Sequence, residues 1–337
     1  MIPADIDKLE NDILEKYPKV LDILLRDHTT QRNIFWATEN YKELGVEYGF
    51  QAQILPELIT GENGHIIMPR VKKDKDLQQT RVRQMAEVFT PSWICNIQNN
   101  LIDNAWFGRE NIFNSEISFE NGTFGWETNN IKISFPNGKT CRDYIHDTRL
   151  EIACGEAPYI TSRYDSTTGE FIPVQGRIGI LDRKLRVINE NFQSSGEWLK
   201  AAQTAYKNTY AFEWQGDSLL LAREAMLITF IENYTLKFGK EPYLKSIQYI
   251  AYIISWNVWQ MDGLKGVVPN SCGSKKIENK NLFGELEIVT GECEGCANQE
   301  ISKHNGIYCY IKDWASLDLN NGKKGKRIKF IDLLKNK

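Results

Sequence analysis

The sequence predicts an α/β, doubly wound fold, and two stretches carry that prediction. The first is Leu150 to Ala153, a short apolar run with Glu151 in its middle that breaks at Gly155 into Glu156, Ala157 and Pro158. It reads as a buried strand leaving through a tight turn, where glycine or a small side chain lets the backbone approach a nucleotide-like ligand. The second is Thr209 to Glu213, a short strand ending in a carboxylate, followed by the long apolar helix pattern Ser218 to Tyr234. An acidic residue at the end of such a strand can accept both hydroxyls of a ribose. Gly-x-Gly-x-x-Gly spacing is absent, and Glu213 lies well beyond the roughly 20 residues typical of dinucleotide folds, so an insertion is expected between turn and carboxylate.

The other elements follow in chain order. Ile6, Leu9, Ile13, Leu21, Leu24 and Leu25 recur at helical spacing, interrupted by Pro18, and predict a helical amino-terminal cap. A second helix is predicted over 29–48, with Ile34, Phe35, Ala37, Tyr41 and Leu44 apolar and Gly45 as its stop. The polar, basic run Arg70 to Arg83 reads as a solvated loop, with a phosphate-facing patch as the functional alternative. Pro91 or Ser92 suits the start of a helix running to Asp103. Residues 111–140 alternate apolar and polar and contain Asn121-Gly122 and Asn137-Gly138, which is hairpin chemistry. Ile178, Leu181, Leu185 and Ile188 form a helical stripe, with Asp182 and Arg186 expected as an exposed pair. Asp217 is expected to cap the long helix.

Composition narrows the class. A chain of 337 residues with 42% hydrophobic content can bury a large core. A net charge of −3 leaves nucleic-acid contact to local basic patches. No run is apolar for long enough to span a bilayer, and the first residues do not form a basic-then-hydrophobic leader, so a cytoplasmic protein without a membrane partner is expected. Seven unevenly spaced cysteines do not resemble a disulfide framework.

Four segments, Glu87-Val88-Phe89-Thr90-Pro91, Glu151 to Ala157, Phe212-Glu213-Trp214 and Trp259 to Gly263, resemble in that order the S-adenosylmethionine-dependent DNA adenine methyltransferases of restriction-modification systems. The resemblance spans roughly residues 80 to 265 and points to the group called subunit M. It implies a methyltransferase-like, Rossmann-like sheet, with S-adenosylmethionine held by Phe89, Thr90, Pro91, Glu151, Cys154, Gly155, Glu156, Glu213 and Asp262. Trp256, Trp259 or Met261 would supply an apolar wall against the adenine. DNA and a restriction-modification partner subunit are the implied partners. The chain departs from the family at the catalytic step, where Asn or Asp, Pro, Pro and an aromatic residue hold the flipped base. No Pro-Pro occurs, and the nearest fragment, Val268-Pro269-Asn270, makes Asn270 the candidate. A non-catalytic DNA- or cofactor-binding subunit on the same fold is the alternative.

The last seventy or so residues read differently. Cys272, Cys293, Cys296 and Cys309 offer a Cys-x-x-Cys turn flanked by single cysteines, a spacing that suits a zinc ribbon, with His304 as the substitute ligand. Two strands, 306–312 and 327–331, are joined by a basic turn that is a second candidate for phosphate contact. The expected division is a helical extension over 1–80, a cofactor-binding core over 81–268 with the inserted hairpin element at about 111–140, and a zinc-binding segment over 269–337.

Overall fold

The computed structural model describes residues 9–73, 90–120, 122–273, 275–280, 286–319 and 322–334. Its helices are α1 (Leu9–Lys16), α2 (Val20–Leu25), α3 (Pro56–Ile59), α4 (Ser92–Phe107), α5 (Cys141–His146), α6 (Ile180–Asn191), α7 (Ser195–Lys207), α8 (Gly216–Phe238), α9 (Leu244–Asn257) and α10 (Glu294–Asn298). Strands are β1 (Arg26–Asp27), β2 (Arg32–Asn33), β3 (Asn114–Ser118), β4 (Phe124–Thr128), β5 (Arg149–Glu151), β6 (Thr209–Glu213), β7 (Val258–Gln260), β8 (Lys275–Lys280), β9 (Leu286–Gly291), β10 (Tyr310–Asp318) and β11 (Lys323–Lys329).

The architecture is mixed α/β around a three-stranded sheet in the order β5-β6-β7. Both pairings are parallel, Leu150 opposite Tyr210 and Phe212 opposite Trp259. Parallel strands must be covered on both faces, and the two covers differ here. Ala211 and Val258 belong to the main core with Leu219, Met226, Ile250 and Ile254 from α8 and α9. Phe212 and Trp259 instead share a smaller cluster with Cys309, Ile311 and Phe330 of the carboxyl-terminal hairpin. Among the described residues the strand order runs consecutively and never reverses, so the crevice at a reversal that marks a doubly wound sheet is not formed by them.

The amino-terminal helices are part of the main core, with Leu21, Leu24 and Leu25 buried beside α9. Arg223 fastens them, its buried guanidinium donating to Val258 O (2.8 Å), Arg26 O (3.1 Å), Ser255 O (3.3 Å) and Leu24 O. A second buried cation, Arg183 of α6, reaches α4 through Asp103 (2.6 Å), Asn96 (2.9 Å) and Asn100 (2.7 Å).

Several expected elements differ. Residues 29–48 are not one helix, and only short 3₁₀ turns at Lys42–Leu44 and Val46–Tyr48 are helical: Asp27 accepts from the amides of Thr29 (3.1 Å) and Thr30 (2.8 Å), and the chain turns into the β1–β2 pair. Such side-chain bonds to local backbone outcompete a helix start. The inserted hairpin is β3–β4, built around Gly122, whereas 131–138 has no strand. Asp182 is buried rather than exposed and accepts from Ser162 N (2.8 Å) and Gly179 N (3.2 Å), leaving Arg186 to pair with Glu190 at 3.0 Å. Asp217 sits inside the first turn of α8, bonded to Tyr41 Oη (2.8 Å) and Lys73 Nζ (3.3 Å), not at its cap. Lys73 is thereby buried and unavailable to phosphate, and the rest of that basic run, 74–83, lies outside the described residues. No described helix is long and apolar enough to cross a membrane.

Candidate functional site

The carboxyl ends of β5 and β6 lie side by side and form the floor of a cavity of about 450 Å³. Glu151 ends β5 and the chain then turns sharply, with Ala153, Gly155 and Ala157 at φ of 49°, 54° and 58°. Cys154 N donates to Phe212 O (3.0 Å) and Gly155 N to Glu213 Oε2 (2.8 Å), which pins this turn to β6. Glu213 Oε1 accepts from Trp214 N (2.8 Å) and Gln215 N (3.2 Å). Burial nevertheless outweighs these amide bonds and raises the Glu213 carboxyl above its ordinary range. Burial raises Glu151 well above it, with the charge of Glu213 adding to the effect.

Three lining residues each bury an acceptor oxygen that nothing satisfies: Glu151 Oε2, Asn99 Oδ1 and Gln215 Oε1. Unsatisfied buried acceptors are costly and uncommon, and these three are closed off behind the cavity wall. Asn99 is held by its amide nitrogen, which donates to Tyr159 O and Ile178 O, both at 3.0 Å.

The structure gathers Thr90, Glu151, Cys154, Gly155 and Glu213 at this cavity. Cys154 is buried, and burial pushes its thiol well up. The other expected cofactor residues stand elsewhere. Glu156 turns away and accepts from Arg70 N (2.8 Å) and Tyr164 Oη (2.5 Å). Pro91 lines a separate hollow with Trp93 and Phe124. Asp262 closes its own turn, accepting from Leu264 N (3.1 Å) and Lys265 N (3.2 Å) and pairing with Lys265 Nζ at 3.5 Å. Phe89 lies outside the described residues. Trp259 and Met261 are core, and Trp256 stacks on His28 with ring centroids 4.0 Å apart. Sequence reasoning missed Asn99 and Gln215. For Asn99 a signal existed, since an asparagine inside a helix whose neighbours pack inward must find a polar partner.

The second cluster is built from Cys272, Cys293, Cys296 and His304, whose ligand atoms all lie within 4.8 Å of one another. Cys293 caps α10, and its carbonyl accepts from Cys296 N (2.9 Å) and Ala297 N (3.0 Å), turning both thiols to one side. His304 Nδ1 stands 3.6 Å from the sulfurs of Cys272 and Cys296 and 3.7 Å from that of Cys293. A tetrahedral ion at metal–sulfur and metal–nitrogen distances of about 2.3 and 2.1 Å separates sulfur from nitrogen by about 3.6 Å. The three sulfur-to-nitrogen spacings match that value, and the cluster could hold a metal ion. Asn305 joins the two arms: its side chain donates to Gly273 O (2.8 Å) and accepts from Gly273 N (3.2 Å), while its amide donates to Cys293 Sγ (3.2 Å). Burial pushes the Cys293 thiol up, but the amides of Asn305 and Cys296 pull it down further, to about 6. Burial and the neighbouring Cys293 raise Cys272 to about 11.

Cys309, expected as the fourth ligand, is not in this cluster. It is buried in the hairpin core, its thiol 3.4 Å from Gln260 O, and His304 takes the place. Asn270, the catalytic candidate, sits in a left-handed turn (φ 54°) two residues before Cys272 and does not line the sheet-end cavity.

Compared with known proteins, the chain matches no family model, no curated protein and no solved structure.

Proposed function

We propose that the sheet-end cavity binds S-adenosylmethionine and that the chain serves as the cofactor-binding part of a DNA N6-adenine methyltransferase or modification subunit of a restriction-modification system. The observation that carries this reading is the cavity itself, lined by Glu151 and Glu213 at the ends of two parallel strands and by the tight Cys154–Gly155 turn. S-adenosylmethionine is a cation that carries ammonium, ribose hydroxyl and adenine amino donors. Its positive charge favours the ionised forms of Glu151 and Glu213, which burial disfavours. The volume falls in the range of small-molecule sites, roughly 300–1,000 Å³. Glu213 fixes the Gly155 turn, so the loop is already shaped before a ligand arrives.

Calorimetry with S-adenosylmethionine and with its demethylated product tests this. Binding of both is expected, weakened by Glu151→Gln, a change that spares the amide bonds of Glu213. No heat at millimolar ligand would sink the reading.

The non-catalytic alternative is favoured by one observation, the position of Asn270 beside the metal cluster instead of the cavity. Transfer of labelled methyl groups to mixed-sequence DNA separates the two. Incorporation that survives Asn270→Ala would give the catalytic step to another residue, and no incorporation with cofactor binding intact would leave the alternative standing. For DNA contact, the exposed Lys324 and Lys326 of β11, in the basic turn expected from the sequence, are the proposed phosphate-facing residues.

We also infer that the metal held by Cys272, Cys293, Cys296 and His304 is zinc in a structural role. Three thiolates and one imidazole form a closed donor set typical of such sites. Elemental analysis of protein purified without chelator should find about one zinc per chain, as one four-ligand site requires.

A further inference from the structure

A strand alternates its side chains between two faces, and in the β10–β11 hairpin the two faces differ. Ile311 and Ile328 pair on one and pack against Phe212 and Trp259, and Asp313 and Lys326 share that side. Lys312 and Arg327 pair on the other. There the hairpin meets α9 and the β1–β2 turn: Lys312 Nζ donates to Tyr252 Oη (2.7 Å), Trp314 Nε1 to Asn257 Oδ1 (2.8 Å) and Tyr310 N to Thr29 Oγ1 (3.0 Å). Cations and rings alternate along this seam. Lys312 Nζ lies 5.0 Å from the centre of the Tyr252 ring and 4.8 Å from that of Trp314. Lys207 of α7 lies 5.2 Å from Tyr249 and 5.3 Å from Trp314, and Arg327 stands 3.8 Å over Tyr310. Tyr249 and Arg327 are exposed, and Lys207, Lys312, Tyr252, Tyr310 and Trp314 are half-buried.

None of these three cations pairs with a carboxylate among the described residues. The two carboxylates closest in sequence are committed to the chain itself. Asp27 is buried and holds the Thr29 and Thr30 amides, while Asp313 faces the other side and accepts from Ala315 N (3.0 Å), Ser316 N (3.2 Å) and Ser316 Oγ (2.5 Å). His28, stacked on Trp256 at the same seam, registers the sign of the field: burial lowers its pKa, and Arg223, Arg26, Lys312 and Arg327 push it further down, to about 3. Uncompensated cations of this kind repel one another and attract a polyanion. We propose that the seam binds single-stranded nucleic acid, with phosphates on Lys207, Lys312 and Arg327 and bases on the rings between them, Tyr249 first. Cations that follow a backbone, interleaved with rings on which bases stack, are how single strands are held without regard to sequence. A duplex keeps its bases stacked inside, and an acidic peptide would leave the rings unused. Lys324 and Lys326 belong to the other side of the hairpin, so the seam stands apart from them and from whatever the sheet-end cavity binds.

Anisotropy of a fluorescein-labelled strand of twelve thymidines tests this at physiological salt, with the uridine strand, a duplex of equal length and poly-aspartate as further arms. At least one single strand is expected to bind, the tighter of the two telling DNA from RNA, and poly-aspartate should bind at least about tenfold more weakly. For three phosphates on a single strand, the logarithm of the association constant should fall with that of salt at a slope of about −2, and Arg327→Gln should reduce the slope by about 0.7. Tyr249→Ala removes a ring and no charge. It should weaken the single strand at least about fivefold, the lower end of the stacking effect per base, and leave any duplex binding unchanged. Both side chains are exposed, so the fold is expected to survive either change. Lys324→Gln with Lys326→Gln alters the other side of the hairpin and should change single-strand affinity by less than about threefold, since exposed charges are screened beyond about 8 Å. No binding at millimolar strand would overturn the proposal. So would poly-aspartate binding as tightly as the strand, a Tyr249→Ala effect absent from the single strand or equal on the duplex, or a loss confined to the Lys324 and Lys326 variant.

Discussion

The metal cluster and the sheet-end cavity are both built on turns that follow a strand, yet they constrain their ligands to different degrees. In the cluster, four donors converge with sulfur-to-nitrogen spacings of 3.6 to 3.7 Å, a set that could hold one metal ion. In the cavity, part of the acceptor capacity is spent on the protein itself, since Glu213 takes three of its own backbone amides. What remains is a mixed polar and apolar lining, which fixes the polarity of a ligand more firmly than its identity. Converging donor atoms specify chemistry; a mixed lining around a hollow specifies only complementarity.

Breaking the cluster should have the largest effect. Cys296→Ser is expected to lose the metal and unfold the segment around α10. Apparent binding energies of structural zinc are on the order of 10 kcal/mol, comparable with the whole stability of an ordinary domain. Elemental analysis and proteolysis of the carboxyl-terminal region measure both; a metal-free variant with an intact, protease-resistant segment would contradict it.

A subtler change sharpens the same point. A β-carbon at Gly295 would lie 2.6 Å from His304 N and 2.7 Å from its Nδ1. Gly295→Ala must therefore shift a ligand and is expected to weaken zinc at least about tenfold, in the range seen when ligand positioning is disturbed. Gly196→Ala, where a β-carbon meets nothing within 4 Å, is the control and should leave zinc affinity alone. Competition with a chromophoric chelator reads the difference.

The two regions were also unequally legible. The Cys-x-x-Cys turn was readable because its spacing is short and local. The sequence named Cys309 as fourth ligand with His304 as its substitute, and tertiary pairing decides between them: the β10–β11 hairpin carries Cys309 into the apolar cluster with Phe212, Trp259 and Phe330, leaving His304 to face the sulfurs. Strand β6 was found with both boundaries, since its alternation and terminal carboxylate are local features. The expected helix over 29–48 failed because one side chain, Asp27, takes the amides that would begin it, and Ile34 then pairs its backbone with Leu25 and Ile54. Asn99 and Gln215 belong to the cavity through packing of α4 and α8 on the sheet ends, which no spacing reports.

At the cavity the expected effect is smaller and depends on pH. As a residue Glu151 is only partly covered, but its Oε2 is shielded and its carboxyl is raised by burial. Between the ordinary glutamate value, about 4.3, and the raised one, the folded state holds the proton more tightly than the unfolded. Its contribution is full below that ordinary value and is lost as pH rises through the folded one. Urea midpoints at about pH 5 and about pH 8 should therefore fall with pH, and Glu151→Gln should flatten the fall. Added S-adenosylmethionine should do the same by stabilising the ionised form; an unchanged slope in the Gln variant would place the titration elsewhere.

The smallest predicted effect probes how the cavity turn is shaped. Ala153 and Ala157 both sit at positive φ, as does Gly155 between them. An L-residue with a β-carbon is disfavoured in that region by roughly 1 kcal/mol or more, whereas glycine enters it freely. Ala157 is fully buried, so a glycine there would also remove packed methyl surface and leave a void. Ala153 lines the cavity, and its methyl group is the better one to remove. Ala153→Gly relieves the strain but gives the unfolded chain more freedom, an opposing cost of comparable size. The net change in urea stability is therefore expected to be within about 0.5 kcal/mol of zero. Ala153→Val, whose β-branch clashes in the left-handed region, should destabilise by about 1 to 3 kcal/mol. If the valine variant were as stable as the native chain, the turn would not be held in this conformation. The amides of Cys154 and Gly155 would then not be fixed to β6, and the preformed loop on which the cofactor reading leans would be lost.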